Sequence, residues 1–140
     1  MAGTSFPERV PPSPQTRRVG GYVLVVDDHR DAADSLARLL SILGRIAQVA
    51  YDAEGALAAI ERATPQLIFL DLGMPKIDGF ETARRIGTRP EWRDIPLVAL
   101  TGLGQERDRD RTQACGFAAH LLKPVDLILL ERTLDELAPA

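Results

Sequence analysis

The chain has 140 residues, 45% of them hydrophobic, a formal net charge of -3 and a single cysteine. That length suits one compact domain with a real core. The mild negative charge gives no general pull toward nucleic acid or an anionic membrane surface. Cys115 has no second cysteine to pair with, which fits a reducing compartment, and no apolar stretch is long enough to span a bilayer or to form a signal peptide core. These features predict a soluble cytoplasmic protein with neither nucleic-acid nor membrane partners.

Residues 1–20 carry Pro7, Pro11, Pro12 and Pro14 with scattered charge and no periodic apolar pattern, and predict a flexible arm ahead of a folded domain at 21–138. YVLVV at 22–26 is continuously apolar and reads as a strand buried on both faces. Ala32, Leu36, Leu39, Leu40 and Leu43 then recur at helical spacing, with Gly44 as a stop. IAQVAY at 46–51 alternates like a strand, and Asp52 is placed to cap a helix through Leu57 and Ile60 that ends before Pro65. LIFL at 67–70 is another buried strand. Asp78 followed by Glu81 resembles a capping box opening a helix through Ile86. LVAL at 97–100 predicts a fourth strand, Gln105 to Ala114 a weakly patterned helix, and AAHLL at 118–122 a short fifth strand. Leu127, Leu130, Leu134 and Leu137 stripe the last helix.

Five strands interleaved with five helices predict an α/β fold, a parallel sheet covered on both faces. Such sheets bind ligands beyond the carboxyl ends of their strands. Asp27 and Asp28 follow the first strand, Asp71 the third, Thr101 the fourth and Lys123 the fifth, so four of five strands deliver a polar or charged residue to one edge. Any of these alone is unremarkable, since acids at strand ends usually cap helices. Adjacent ionised acids repel, and each disfavours the other's charged form, so either something offsets that repulsion or the acids are simply solvated.

VVDD, LDLGMPKIDG, ALTG and KP, in that order from Tyr22 to about Leu137, resemble the receiver domain of bacterial two-component response regulators. The resemblance implies the flavodoxin-like doubly wound sheet, strand order 2-1-3-4-5. It implies Asp71 as phosphoacceptor, Thr101 as the switch hydroxyl, and Lys123 as the phosphate-binding lysine. It also implies Mg2+ held by Asp28, Asp71 and the Gly73 backbone carbonyl, with Asp27 acting through water. The donor would be a phosphohistidine on a sensor histidine kinase or a phosphotransfer protein. Lys123-Pro124 is the bond expected to be cis, and Pro75 shapes the loop after the phosphoacceptor. Gly79 suits a close approach of the next helix.

His120 occupies the position where the family places its rotating aromatic residue, three before the lysine, and is expected to move inward on phosphorylation. Gly73 and Leu103 stand where the family often has polar side chains that influence the attacking water, which implies slow spontaneous dephosphorylation. His29 reads as a solvated helix-start residue, Cys115 as a small packed residue near a helix end, and Trp92 as a cover for core. Ile128 and Leu129 lie off the last helix's stripe; they mark either a partner or self-association surface, including a homodimer, or burial under neighbouring chain.

A haloacid dehalogenase-like phosphatase also uses an aspartate nucleophile after an apolar strand. It normally carries a second aspartate two residues on, where this chain has Gly73, and its further acidic ligands come late rather than early. No G-x-G-x-x-G follows the first strand, so a dinucleotide site is not predicted. With three residues after Leu137 and no basic recognition helix, the expectation is a single-domain regulator. It would catalyse only its own phosphorylation and dephosphorylation, and signal through the fourth helix, fifth strand and fifth helix. The alternative is a receiver from a hybrid histidine kinase or a phosphorelay shuttle.

Overall fold

A computed structural model of the protein describes residues 21–74, 77–102 and 109–139. The proposed arm at 1–20, Pro75, Leu103 and the first part of the expected fourth helix lie outside the described residues. Five strands, β1 (Tyr22–Val26), β2 (Ile46–Ala50), β3 (Leu67–Asp71), β4 (Leu97–Thr101) and β5 (Ala119–Leu122), form one parallel sheet in the order β2-β1-β3-β4-β5. The connecting helices are α1 (Arg30–Ile42), α2 (Ala53–Arg62), α3 (Gly79–Gly87), α4 (Arg109–Ala114) and α5 (Leu127–Leu137), with a short 3-10 turn at Pro90–Trp92. This is the doubly wound arrangement that the alternation of patterns predicts.

Side chains alternate across each strand, so the same five residues of β1 serve two cores. Val23 and Val25 pack with Leu36 and Leu40 of α1, Phe69 of β3 and Leu130 and Leu134 of α5. Tyr22, Leu24 and Val26 face the other way, toward Ile60 of α2 and Phe80 and Ile86 of α3. Both faces being covered explains why β1 is apolar throughout, and β3 and β4 up to their last residues Asp71 and Thr101, instead of alternating. At the edge, β2 leaves Ile46 62% exposed, and its pattern alternates accordingly.

Local signals fix the helix ends. Asp52 accepts from the Gly55 amide at 2.7 Å and Asp78 from the Glu81 amide at 2.9 Å, each satisfying a first-turn donor that otherwise lacks a partner. Gly44, at φ 85°, ends α1, with the Arg45 amide bonded back to the Leu40 carbonyl. Trp92 is buried against the α3 side of the sheet, as the sequence suggests.

Three expectations are corrected. Ala33, not Ala32, is the buried alanine of α1, because the helix turns its Ala33–Leu36–Leu40 face to the sheet. Leu127 is 45% exposed rather than part of the α5 stripe, since it is the first helical residue after the Asp126 cap and lies ahead of the packed turns. Cys115 is exposed, not packed, because α4 ends at Ala114 and leaves it in the turn before Gly116. No helix among the described residues is long and apolar enough to cross a membrane.

Candidate functional site

The carboxyl edge of the sheet collects the chemistry. Asp27 continues β1, its amide bonded to the Ala50 carbonyl at the end of β2 at 3.1 Å. Asp71 is the last residue of β3, Thr101 the last of β4, and Lys123 follows β5 with its amide on the Thr101 carbonyl at 2.7 Å. Main-chain pairing therefore holds each functional residue at the strand end that supplies it. The approach of α3 to that edge needs a glycine. A Cβ on Gly79 would sit 2.5 Å from the Asp71 carbonyl oxygen and 2.8 Å from Leu72 Cα, both immovable backbone atoms.

Side-chain geometry converts this edge into a site. Lys123 Nζ lies 3.0 Å from Asp27 Oδ2 and 3.1 Å from Asp71 Oδ1, so one ammonium bridges two carboxylates from different strands. Asp27 Oδ1 accepts from the His29 amide at 3.0 Å, and Asp71 Oδ1 from the Gly73 amide at 3.2 Å. Asp27, Asp71 and Thr101 are all buried. Asp28 Oδ1 is buried as well and, among the described residues, has no hydrogen-bond donor. One donor atom each from Asp27, Asp28, His29 and Asp71 falls within 4.8 Å of the others, a grouping able to hold a metal ion. Beside it, Thr101 Oγ1 and His120 Nε2 share a hydrogen bond of 2.8 Å. The Lys123–Pro124 peptide bond is cis.

Charge is the tension here. Burial pushes the Asp27 carboxyl above its ordinary range; the His29 amide and Lys123 pull it back without overcoming that, and the neighbouring Asp71 adds to the rise. Burial alone would lower the Lys123 ammonium, but Asp27 and Asp71 outweigh it and the net direction is up. Three carboxylates against one ammonium leave a formal excess of two negative charges at the edge.

Two clefts meet the site. One of about 480 Å³ runs from Asp27 and Lys123 along Ala32, Leu36 and Leu39 of α1 to Val125. The other, about 450 Å³, opens from Asp28 toward Asp52, Glu54, Met74 and Ile77. The sequence pattern alone did not indicate that His29, 78% exposed, turns its ring to 3.6 Å from Asp28 Oδ1. Its place next to the acids was the available signal. Nor did it indicate that Thr101 and His120 are direct partners, which the registers Ala99↔His120 and Thr101↔Leu122 make possible.

Comparison with known proteins agrees with this architecture. The profile of the response regulator receiver domain matches residues 23–135. A 14.6 kDa protein of Leptolyngbya boryana is 40% identical over 114 residues, covering 81% of this chain and 87% of that one. The sensor protein EvgS of Escherichia coli K12 is 32% identical over 115 residues, 82% of this chain and 9% of its own length. The chain likewise spans only 15% and 44% of two other curated relatives. Among solved structures, the chemotaxis protein CheY4 of Vibrio cholerae has a TM-score of 0.77 at 27% identity, covering 83% of this chain and 97% of that one.

The raised carboxyl of Asp27 has a stability consequence. The folded chain holds that proton more readily than the unfolded chain, so the associated stability is full below the ordinary carboxylate range and is lost as pH rises through the raised value. In chelator at neutral pH, Asp27→Asn is expected to raise the Tm by about 3 °C, the shift about 1 kcal/mol gives in a domain of this size. Its Tm should also change less than that of wild type as pH rises from the ordinary carboxylate range, roughly 4, toward neutral. A lower Tm for the variant in thermal melts would show that the Lys123 pair outweighs the desolvation.

Proposed function

We propose, for a chain that belongs to the family of response regulator receiver domains, that Asp71 accepts a phosphoryl group from a phosphohistidine and that the aspartyl phosphate remodels a surface read by another protein. The observation that carries this reading is the placement of Asp71, a buried carboxylate bridged by Lys123 to Asp27 at the mouth of a cleft. In the transfer, an Asp71 oxygen attacks phosphorus while the P–N bond to the donor imidazole breaks. A P–O bond of a mixed anhydride forms, and the imidazole leaves with the bonding pair and takes up a proton. Lys123, already 3.1 Å from Asp71, donates to a phosphoryl oxygen and offsets charge there. The apolar walls from Leu36, Leu39 and Val125 suit a protein donor, a sensor histidine kinase or a phosphotransfer protein, better than a bare small molecule.

Mg2+ fits the donor set. The excess of two negative charges matches its charge, the ligands are oxygens, and the buried Asp28 Oδ1 has no donor of its own among the described residues. Asp28, Asp71 and the Gly73 carbonyl would hold it directly and Asp27 through water. When bound it neutralises charge on the phosphoryl oxygens. The chain's chemistry then stops at its own phosphorylation and dephosphorylation, with Gly73 offering no side chain to orient a hydrolytic water.

Output follows from Thr101. A hydroxyl that turns to a phosphoryl oxygen gives up His120 Nε2, and the ring follows it inward. That movement alters the surface of α4, β5 and α5, where Leu122, Leu127, Ile128 and Leu129 stand 39% to 66% exposed. A partner protein or a second copy of the chain would read it. The chain would act in the cytoplasm as a single-domain regulator without DNA-binding output; the short Leptolyngbya relative, 87% of which is covered, supports the single-domain part of this reading. The EvgS match supports the second reading, a receiver belonging to a hybrid sensor kinase or a relay.

With Mg2+ and acetyl phosphate, intact mass spectrometry should show one phosphoryl addition to wild type and none to Asp71→Asn, with the group persisting well beyond a few seconds. No addition to wild type, or addition retained in the variant, overturns the assignment; decay within a few seconds overturns the slow hydrolysis. The switch is checked by NMR: the His120 ring signals should shift when beryllium fluoride and Mg2+ are added. An unchanged ring environment contradicts its role.

A further inference from the structure

His29 begins α1 at a position where serine, threonine, aspartate or asparagine usually caps the helix, yet its side chain makes no capping bond. Its ring points back over the strand ends instead. Nδ1 lies 3.6 Å from Asp28 Oδ1 and 3.8 Å from Asp27 Oδ1, and the ring is 78% exposed. The His29 amide meanwhile holds Asp27 Oδ1 at 3.0 Å. The main chain of His29 thus holds Asp27 by a hydrogen bond, while its ring stands just beyond hydrogen-bond distance of Asp27 and Asp28.

We infer that His29 is a nitrogen ligand that shifts the preference of the acidic site toward a later first-row transition ion such as Co2+ over Mg2+. The inference rests on the reading that Asp27, Asp28 and Asp71 hold a divalent cation. Donors bound to one such ion at about 2.1 Å sit about 3 Å apart in neighbouring coordination positions, so the ring has less than about 1 Å to close on Asp28. An exposed imidazole at a helix start has that freedom without disturbing the core. Mg2+ prefers hard oxygen ligands and gives up water reluctantly, so it gains little from an imidazole. The later first-row ions gain substantially, because imidazole is among their favoured ligands. The same carboxylates would therefore discriminate between ions through a side chain that Mg2+ does not need.

The test compares untagged wild type and His29→Ala by isothermal titration calorimetry with Mg2+ and with Co2+, at one fixed pH. Visible absorption of the Co2+-loaded proteins supplies a readout independent of affinity. Expected is a loss of Co2+ affinity of about tenfold or more in the variant, the scale of losing an interaction that supports a metal site. Mg2+ affinity should stay within about twofold, because the His29 amide remains to hold Asp27. The visible bands of Co2+-loaded wild type should carry the shift of a nitrogen ligand, and His29→Ala should move them to the position of an all-oxygen site. If wild type binds both ions and the substitution changes neither, or weakens both alike, the inference is overturned while the Mg2+ site stands. If wild type binds neither ion, the metal-site reading fails and the inference falls with it.

Discussion

The bridging of Asp27 and Asp71 by Lys123 is the contact on which the rest of the site depends. Parallel strands place three carboxylates at one edge, and desolvation makes their charge costly; the ammonium at 3.0 and 3.1 Å is what the chain itself provides against it. One positive charge cannot balance three negative ones. The remaining imbalance favours a cation, and in the proposed function it also keeps Lys123 at the position from which it would meet an incoming phosphoryl group. Stability and function thus oppose each other at Asp27, whose burial a neutral residue would tolerate better.

The sheet makes this imbalance affordable. Two cores grip β1, β3 and β4 from both faces, so the strand ends are held by packing far from the charges. Gly79 lets α3 reach the Asp71 main chain, and the Lys123 amide ties the lysine's own backbone to β4. The site residues are fixed as backbone positions, while their side chains retain the choice of partner. Thr101 has such a choice between His120 and a phosphoryl oxygen, and in the proposed function that choice is the signal.

Much of the fold is legible in the sequence because its signals are local. Short uninterrupted apolar runs of four or five residues, rich in valine, leucine and isoleucine, read as strands buried twice, and Asp52 and Asp78 mark helix starts by chemistry the structure repeats as hydrogen bonds. The acidic pair, Asp71 and Lys123 are readable because strand ends in a parallel sheet must converge. Phase and orientation are less legible. Ala32 and Ala33 both sit at helical spacing from Leu36 and Leu40, and only packing against the sheet buries Ala33 and leaves Ala32 on the cleft. Leu127 satisfies the leucine period but precedes the turns that touch the core. His29 was readable as a helix-start residue, whereas the direction of its ring depends on the two acids in three dimensions.

In the proposed function Lys123 and a divalent cation compensate the same carboxylates. The most direct measurement is the Mg2+ affinity of Lys123→Met against wild type, by calorimetry at low ionic strength. Removing the internal cation should tighten Mg2+ binding several-fold, in line with about 1 kcal/mol or more between charges this close in a partly screened site. An unchanged or weaker affinity would contradict the account, because the lysine would then not be sharing the charge that the metal binds.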